Sequence, residues 1–444
     1  MAKIIPFRGI LYNPDKIRDI SKVITPPFDV ISKQEQDEYH ESHPQSMIRL
    51  ILGRKTENDT SDYDWHTRAA DSLSQWVSDD MLVQDDLQAF YVTSVEFPME
   101  NRMVTRFGMI ALVGLEPFEN GVVLPHERTF SRVKSERLEL MKKCHTNFSP
   151  IFSLYSDGNG IFNMLKKSID GKTPDMDFTD NSDHRHKLWR VTDPDIHKYV
   201  TDAMKDKKIF IADGHHRYET ALNYKRWVSE TNPDFPDDHP ANYVMMYLCS
   251  MEDPGMVILP AHRLITDISS AKLTEFVKNT ENYFDAQLFS FEGNGYEKAR
   301  DEFISALSSN NSTNTVGVFV KNRPEFHLLK LKPDVMETLF SNEIPEALID
   351  IDVTVLTRLI FMEILGFNNA RLDNDKLISY SSVAEKAVEA VNTGDCDVAF
   401  ILNPTKIEQV KKIAEQGLIM PRKATYFYPK VITGQVINRL TIDD

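Results

Sequence analysis

The sequence predicts a mixed α/β fold, in which strands and helices alternate irregularly along 444 residues. Hydrophobic residues make up 41% of the chain and charged residues 27%, as in an ordinary globular protein. The length exceeds what one hydrophobic core usually supports, so about two or three domains are expected. Because the alternation of strands and helices is irregular, we expect mixed sheets rather than one parallel sheet.

The first predicted region, residues 1–156, is an α+β region with a β-hairpin. Apolar residues alternate over 89–97 and 103–115, as in the two arms of a hairpin. A helix over 134–143 and a strand over 151–155 are expected to follow. One amphipathic helix is marked by apolar residues at helical spacing: Trp65, Ala69, Leu73, Trp76 and Val77.

Three further regions are expected after residue 156. Residues 157–187, rich in Asp, Asn, Lys and Gly, predict an exposed excursion. Residues 188–269 predict a unit that begins strand, helix, strand, helix, and residues 270–444 predict a C-terminal α/β region. The strands expected in that last region are 316–320, 327–331, 377–380 and 398–402. Its expected helices are 354–365, 383–391 and 407–415.

The segment 209–220 is the most informative part of the chain. Residues 209–212 are apolar and predict a buried strand, Asp213-Gly214 predicts a tight turn, and a helix is expected from His215. A turn between a strand and a helix leaves backbone N–H groups at the positive end of the helix dipole. This arrangement binds anions, most often phosphates.

The turn is crowded with residues of functional chemistry: Asp213, Gly214, His215, His216 and Arg217. Gly214 permits the backbone conformation that a close phosphate requires, and Arg217 can donate two parallel hydrogen bonds to one. The two histidines can donate hydrogen bonds to a phosphate, and His216 is also a candidate catalytic residue. Asp213 is a candidate for catalysis and for positioning Mg²⁺. The alternative is an Asp-Gly turn whose side chains cap a surface helix.

A second candidate group is the polar loop His126, Glu127, Arg128 and Thr129. Glu127 is a candidate general base, and the other three residues are candidate phosphate ligands. Lys134 and Arg137 follow on the next predicted helix and would extend a positive pocket. The alternative is a solvated connector followed by surface charges.

A third candidate segment lies near the C-terminus, between Met420 and Lys430. Its prolines bracket aromatic and basic residues, and Lys423 and Thr425 are candidate phosphate ligands. The alternative is a structural tail that packs its aromatic side chains. Pro26-Pro27-Phe28-Asp29 is a weaker candidate for the same reasons.

Composition excludes several classes of function. The net charge of −16 disfavours binding to nucleic acid, and no apolar run is long enough to span a bilayer. Three scattered cysteines match no zinc spacing, and the start resembles no secretory signal, so a cytoplasmic location is expected. His and carboxylate residues are plentiful, but without an HExxH motif Mg²⁺ is favoured over a transition metal. The oligomeric state stays open.

Several spaced motifs resemble one family, the domain-of-unknown-function family 1015 of bacterial and archaeal proteins. The likeness covers nearly the whole chain. Phe28 departs from the family, which usually carries Tyr there, so no hydroxyl chemistry is assigned to that position. The motifs are residues 26–30, 125–129, 149–152, 212–220 and 425–430.

The strand–Asp213-Gly214-His215-His216-Arg217–helix segment also resembles the phosphate-binding corner of the ParB/sulfiredoxin superfamily. That superfamily includes an ATP-using sulfinic acid reductase, CTP-hydrolysing ParB proteins and free-serine kinases. The resemblance covers about residues 188–265 and implies a nucleotide-binding core beside the additional α/β region. It implies that residues 214–217 hold nucleotide phosphates while a nearby carboxylate activates the acceptor. A sulfiredoxin-like reaction is disfavoured because a histidine, His215, stands near the place of the required cysteine.

The resulting functional hypothesis is a phosphotransferase that uses a nucleotide, ATP or ADP, with Mg²⁺. Its expected substrate is a small hydroxylated metabolite, serine-like by analogy with the superfamily. One alternative is a phosphatase of a small phosphorylated metabolite. Another is a protein that binds a nucleotide or metabolite without turnover.

Overall fold

The computed structural model describes residues 1–99, 102–127, 131–158, 160–232, 234–291, 293–311 and 313–441, without the side chains of 131–134 and 294. The chain divides into two compact units. Unit 1 comprises Met1–Met256 and the chain from Pro429 onward, and unit 2 comprises Val257–Tyr428. The C-terminal segment therefore returns to the unit in which the chain begins.

Unit 1 is built around a mixed sheet, which confirms the predicted fold class. In the described residues this sheet runs in the order β6-β11-β8-β12-β5-β4-β10-β9, and β1 also pairs with β5. The pairs β6–β11 and β8–β12 are parallel and the others are antiparallel. The strands are β1 (Ile4–Ile5), β2 (Ile10–Tyr12), β3 (Leu82–Gln84), β4 (Phe90–Met99), β5 (Arg102–Gly114), β6 (Val123–Leu124), β7 (Thr146–Asn147), β8 (Ile151–Tyr155), β9 (Met176–Thr179), β10 (Arg185–Val191), β11 (Ile209–Asp213) and β12 (Tyr243–Ser250), and Asn438–Arg439 pairs with β7.

Helices pack against this sheet and beside it. The α-helices are α1 (Lys33–Ser42), α2 (Ile48–Ile51), α3 (Trp65–Ser78), α4 (Ser131–Cys144), α5 (Ile161–Ile169), α6 (Pro194–Met204) and α7 (His215–Thr231). Short 3-10 helices lie at Ile20–Lys22, Phe28–Val30, Phe118–Asn120 and Pro240–Asn242. Apolar residues of α5, α6 and α7 join those of the sheet in one hydrophobic cluster, while α2 and α3 bury theirs in a second cluster.

The predicted hairpin and the predicted amphipathic helix of unit 1 are confirmed, as are the helix expected over 134–143 and the strand expected over 151–155. The alternating segments form the hairpin β4–β5, in which Tyr91 pairs with Ile110. The amphipathic helix is α3, which buries Trp65 and Ala69 among its apolar residues. Its N-terminus is capped by Asp64, whose carboxylate accepts hydrogen bonds from two backbone N–H groups.

The segment 157–187 differs from the exposed excursion that its composition predicts. Ile161, Leu165 and Ile169 recur every four residues within α5 and are buried in the core of unit 1. The carboxylate of Asp157 accepts hydrogen bonds from the backbone N–H groups of Ile161 and Phe162, at 2.8 and 2.9 Å, and so starts the helix. The high content of polar residues makes this narrow apolar face hard to recognise in the sequence, but the face is sufficient to pack a short helix against the core.

Unit 2 contains an antiparallel sheet in the order β15-β17-β16-β19-β14-β18, while β13 pairs with β20. β14 lies within residues 188–269, which the sequence predicts as one unit. In the structure it pairs with β18 and β19 and so belongs to the sheet of unit 2. The strands are β13 (Val257–Leu259), β14 (His262–Ile265), β15 (Phe284–Ser290), β16 (Thr315–Val320), β17 (Glu325–Leu331), β18 (Ile378–Ser381), β19 (Val398–Leu402) and β20 (Tyr426–Tyr428).

The helices of unit 2 lie between these strands. They are α8 (Ser270–Thr280), α9 (Tyr296–Ser309), α10 (Val335–Phe340), α11 (Glu346–Ile349), α12 (Asp352–Thr354), α13 (Asn369–Leu372), α14 (Ala384–Asn392) and α15 (Ile407–Glu415), with a 3-10 helix at Gly293–Gly295 and a π-helix at Val355–Ile364. The helix expected over 354–365 is thus present and has the wider π-type winding. Among all the helices described in both units, none is long and apolar enough to cross a bilayer.

Candidate functional site

The candidate site is the corner where β11 meets α7, together with Lys430; we call these residues, 213–217 and 430, the corner. β11 lies between β6 and β8, with Phe210 paired to Leu124 on one side and Leu154 on the other. The register to β8 shifts between Ile211 and Asp213, so the strand is irregular where it reaches the turn. The sheet therefore brings Asp213 to its edge just before the helix begins.

Gly214 makes the turn between the strand and the helix. Its φ of +99° lies in the left-handed region that favours glycine. A Cβ atom at this position would also lie 2.9 Å from the Cζ atom of Arg217. Glycine is therefore required both for the backbone conformation and for the close approach of the guanidinium group.

The N-terminus of α7 has no side-chain cap among the described residues. The first N–H groups of a helix have no partner within the helix, and they carry the positive end of its dipole. Because Gly214 has no side chain to cap these groups, the first turn of α7 can accept an anion.

Asp213 lies between two cations. Its Oδ2 accepts a hydrogen bond of 2.6 Å from Nη2 of Arg217, and its Oδ1 accepts one from Nζ of Lys430. All three side chains are at least 85% buried. Burial alone would raise the pKa of the Asp213 carboxyl, but Lys430 and Arg217 outweigh it and hold that pKa well below its usual value. Two cations and one anion leave the corner with an excess of positive charge.

Arg217 retains a donor that the protein does not use. Its Nη1 donates to the carbonyl oxygen of Pro150 and its Nη2 to Asp213. Its Nε is buried and has no hydrogen-bond partner in the described part of the chain. A buried donor without an acceptor is costly, so this N–H group indicates a place for an acceptor that the chain itself does not supply.

His126 and His215 are neutral and face each other in the interior. Nε2 of His215 accepts a hydrogen bond of 3.2 Å from the backbone N–H of His126, so the proton of His215 is on Nδ1. Burial lowers the pKa of His126 to about 4 and that of His215 well below its usual value. Both side chains are almost fully enclosed. The sequence predicts both as phosphate ligands, but as neutral, enclosed side chains neither adds positive charge to a phosphate site.

Of the other residues predicted for the site, Glu127 and His216 lie near His215, and two lie outside the described residues. Glu127 has a side chain that is 40% exposed, and its Oε2 lies 3.8 Å from Nδ1 of His215. His216 is half-buried in the first turn of α7. Arg128 and Thr129 lie outside the described residues.

Lys423 and Thr425 belong to unit 2, and their binding role stays a prediction. The residue of the C-terminal motif that reaches the corner is Lys430, to which the sequence analysis assigns no role. No local feature of the sequence distinguishes it from Lys423.

A cleft adjoins the corner and shares Arg217 with it. Its cavity volume is about 60 Å³, and the cleft is partly open to solvent. Arg137 is buried in its wall, with its guanidinium Cζ 4.2 Å from the centre of the Phe28 ring. Arg137 is thus part of a pocket, in contrast to the surface charge considered as an alternative. The lining residues are Phe28, Ile51, Arg137, Leu140, Met141, Thr146, Asn147, Phe148, Ser149, Ile151, Arg217, Thr220 and Val244.

The corner offers no ready set of metal ligands. Both carboxylate oxygens of Asp213 already accept hydrogen bonds from cations. Among the described residues, the His and carboxylate groups of the corner do not converge as a set of three ligands. A Mg²⁺ ion on Asp213 would therefore have to displace Lys430 or Arg217.

The chain matches one protein family, and its fold has weak similarity to several solved structures. The family model described as "Protein of unknown function (DUF1015)" matches residues 4–354. No curated protein matches the chain. Among solved structures, a free serine kinase variant in complex with ADP is similar with a TM-score of 0.35 and 11% identity, over 75% of this chain and 92% of that chain. Free serine kinase in complex with AMP is similar with a TM-score of 0.35 and 10% identity, over 75% of this chain and 91% of that chain. A conserved hypothetical protein from Pyrococcus furiosus has a TM-score of 0.34 and 11% identity, over 75% of this chain and 95% of that chain.

Proposed function

We propose that this chain, which belongs to the DUF1015 family of proteins of unknown function, is a nucleotide-dependent phosphotransferase. Its acceptor would be a small hydroxylated metabolite, with a serine-like compound as the first candidate. The nucleotide phosphates would lie at the corner and the hydroxyl group of the acceptor near Glu127.

The observation that carries the proposal is the buried, unpaired Nε of Arg217 beside the uncapped N-terminus of α7. Each feature favours an anion with several oxygens, and the two meet at one turn. Lys430 adds a second buried cation within hydrogen-bond distance of the same aspartate. A phosphate group would accept hydrogen bonds from the helix N-terminus and from Arg217 together.

The adjoining cleft supports a nucleotide rather than inorganic phosphate alone. It combines an aromatic ring, Phe28, with apolar walls and the amide of Asn147. Such a lining suits the flat, partly polar surface of a base and its sugar. Because Arg217 belongs to both the cleft and the corner, one ligand can occupy them at the same time.

Glu127 is the proposed base. The hydroxyl oxygen of the acceptor would form a bond to the terminal phosphorus while the bond from that phosphorus to the leaving phosphate oxygen breaks. The hydroxyl proton would pass to the exposed carboxylate of Glu127. His215, with its proton on Nδ1 and this atom 3.8 Å from Oε2 of Glu127, would orient that carboxylate. His216 is the proposed donor to the transferred group.

Mg²⁺ is proposed to bind through the nucleotide phosphates. Asp213 would then hold Lys430 and Arg217 in place for the phosphates, since both of its oxygens are engaged by these two residues. The ion would neutralise charge on the transferred group as it does in other phosphoryl transfers.

The test measures nucleotide binding and phosphoryl transfer on the full chain. Isothermal titration with ATP and ADP in Mg²⁺ is expected to give binding that Arg217→Lys weakens at least about tenfold, because lysine lacks the planar fork of donors. The control is Arg226→Lys, an exposed arginine on the same helix, which is expected to bind as the unmodified chain does. Equal affinities for Arg217→Lys and the unmodified chain would contradict the site.

Transfer is then followed by phosphorus NMR with L-serine and other small hydroxylated compounds. Glu127→Gln is expected to lower the rate about 10²–10⁴-fold while leaving nucleotide affinity unchanged. Binding without product from any acceptor would indicate a nucleotide-binding protein without turnover. Release of phosphate from a phosphorylated metabolite in the absence of nucleotide would indicate a phosphatase instead.

A further inference from the structure

A second cluster of chemically active side chains lies where β9 turns into β10. It consists of Asp180, His184 and His186, which we call the hairpin cluster. One possible ligand atom of each residue lies within 4.8 Å of those of the other two. Among the described residues, the hairpin cluster is the one group of three or more His, Cys, Asp or Glu side chains whose possible ligand atoms lie this close together.

The backbone of the turn fixes these side chains. Oδ1 of Asp180 accepts hydrogen bonds from the backbone N–H groups of Ser182 and His184, at 2.8 and 3.0 Å. Asp183 has a φ of +59°, which reverses the chain direction. The carboxylate is thus anchored by one oxygen, and its other oxygen, Oδ2, is directed at the imidazoles.

The strand places both imidazoles on one side. His184 and His186 are two positions apart, so in extended backbone their side chains point to the same face. The His186 ring stacks on Phe178, with ring centres 5.2 Å apart, and the His184 ring meets the edge or face of Phe97 at 6.1 Å. Both histidines are less than 10% exposed. Their orientations are therefore set by packing before any ligand binds.

The distances suit a metal ion as well as hydrogen bonds. Oδ2 of Asp180 lies 2.9 Å from Nε2 of His186 and 3.5 Å from Nδ1 of His184. Ligand bonds of about 2.0–2.1 Å in tetrahedral geometry separate ligand atoms by about 3.3 Å, which lies between these two values. Two imidazoles, one carboxylate and a remaining open position form a common set for a divalent transition metal.

The hairpin cluster is separate from the corner. Five inter-strand steps lie between β11 and β10 in the sheet, which corresponds to about 24 Å at ordinary strand spacing. β9 is the last strand of the sheet at that end, so an ion here would fasten an edge strand to its neighbour. Its role would be structural or regulatory, and it would not take part in chemistry at the corner.

We propose that Asp180, His184 and His186 form a binding site for a divalent transition metal ion, with Zn²⁺ as the best match, completed by water. The ion replaces the protons that the two imidazoles would otherwise direct at the aspartate. It links Asp180, just after β9, to His184, just before β10, and to His186 in β10.

The test uses the full chain after removal of metal with a chelator. Titration with Co²⁺ is expected to give the visible absorption of a tetrahedral ion at about one ion per chain, and Zn²⁺ is expected to remove that absorption by competition. His184→Ala and His186→Ala are each expected to lower the affinity more than about 100-fold, since loss of a partner that only supports a ligand already costs about 10–100-fold. Absence of the Co²⁺ absorption in the unmodified chain would overturn the proposal.

A matched control distinguishes the cluster from casual binding to a His–Asp pair. Nδ1 of His66 lies 2.6 Å from Oδ2 of Asp64, but this pair has no third ligand among the described residues. His66→Ala is expected to leave the Co²⁺ titration unchanged. Asp180→Asn, which keeps the size of the side chain, provides a variant for the case that a histidine variant does not fold, and it is expected to lose binding. Unchanged affinity in Asp180→Asn would also overturn the site.

Discussion

The corner and the hairpin cluster each centre on an aspartate at the end of a strand, but the two aspartates organise opposite kinds of charge. Asp213 holds two cations, Lys430 and Arg217, beside the positive end of a helix. Asp180 faces two imidazoles and is anchored by backbone N–H groups of its own turn. This difference is the basis of the two proposals, an anion at the corner and a metal ion at the hairpin cluster.

The comparison shows that the partners of a carboxylate decide its chemistry more than its own charge does. In both regions burial works against the charged carboxylate, and in both its neighbours lower the pKa below the usual value. At the corner the pKa of Asp213 is lowered by the positive charges of Lys430 and Arg217, and these buried charges must stay paired. At the hairpin cluster the pKa of Asp180 is lowered mainly by hydrogen bonds from His184 and His186. A neutral side chain in place of Asp180 can accept part of these hydrogen bonds.

The largest difference is expected for the matched pair Asp213→Asn and Asp180→Asn. Asp213→Asn leaves two buried cations without a counter-charge and should lower the free energy of unfolding by about 3–5 kcal/mol. Asp180→Asn disturbs hydrogen bonds only and should cost about 1–2 kcal/mol in the presence of a chelator. Urea denaturation measures both values. Equal losses would break the distinction between the two aspartates.

The buried imidazole of His126, which packs against His215 of the corner, should make stability depend on pH. The pKa of His126 is about 4 in the folded chain and about 6.5 in the unfolded chain, so the unfolded chain binds the proton first. The contribution to stability is complete above pH 6.5 and is lost as the pH falls from 6.5 towards 4, by about 3 kcal/mol at most. Urea denaturation between pH 7.5 and 4.5 tests this. His126→Asn should show a flatter dependence, and the same slope as in the unmodified chain would contradict it.

Much of the corner could be predicted because its signals are local. The apolar residues before Asp213, the glycine after it and the helix that follows are adjacent in sequence, and each has its own conformational preference. The alternating arms of β4 and β5 are a local signal of the same kind. The helix α5 was missed because its three apolar residues are spaced within a polar stretch.

The partners that complete the corner could not be predicted, because they depend on the path of the chain. Lys430 is 217 positions from Asp213, and no local preference distinguishes it from Lys423. The sequence predicts Arg217 as a phosphate ligand, but it does not predict the hydrogen bonds of Arg217 to Asp213 and to the carbonyl group of Pro150. Such pairings follow from which strands become neighbours in the sheet.

Gly214→Ala is expected to perturb the corner at an intermediate level. A Cβ at this position combines a φ of +99° with a contact of 2.9 Å to the Arg217 guanidinium group, for a cost of about 2–3 kcal/mol. Gly121→Ala is the control, since its φ is +66° and a Cβ there would meet nothing within 4 Å. It should cost about 1 kcal/mol. Urea denaturation of both variants separates the contact from the backbone strain, and similar losses would show that the contact with Arg217 contributes nothing.

The smallest effect is expected for the aromatic contacts beside the two regions. Phe28 packs on a cation, Arg137, whereas Phe178 stacks on a neutral imidazole, His186. A double-mutant cycle of Phe28→Leu with Arg137→Met should give a coupling of about 0.5–1 kcal/mol, because a ring attracts a nearby cation and Met removes the charge. The cycle of Phe178→Leu with His186→Asn, measured above pH 7 with a chelator, should give a smaller coupling. A larger coupling at the hairpin would mean that its imidazole carries charge, and the contrast between a cationic contact in the cleft and a neutral contact at the hairpin would then fail.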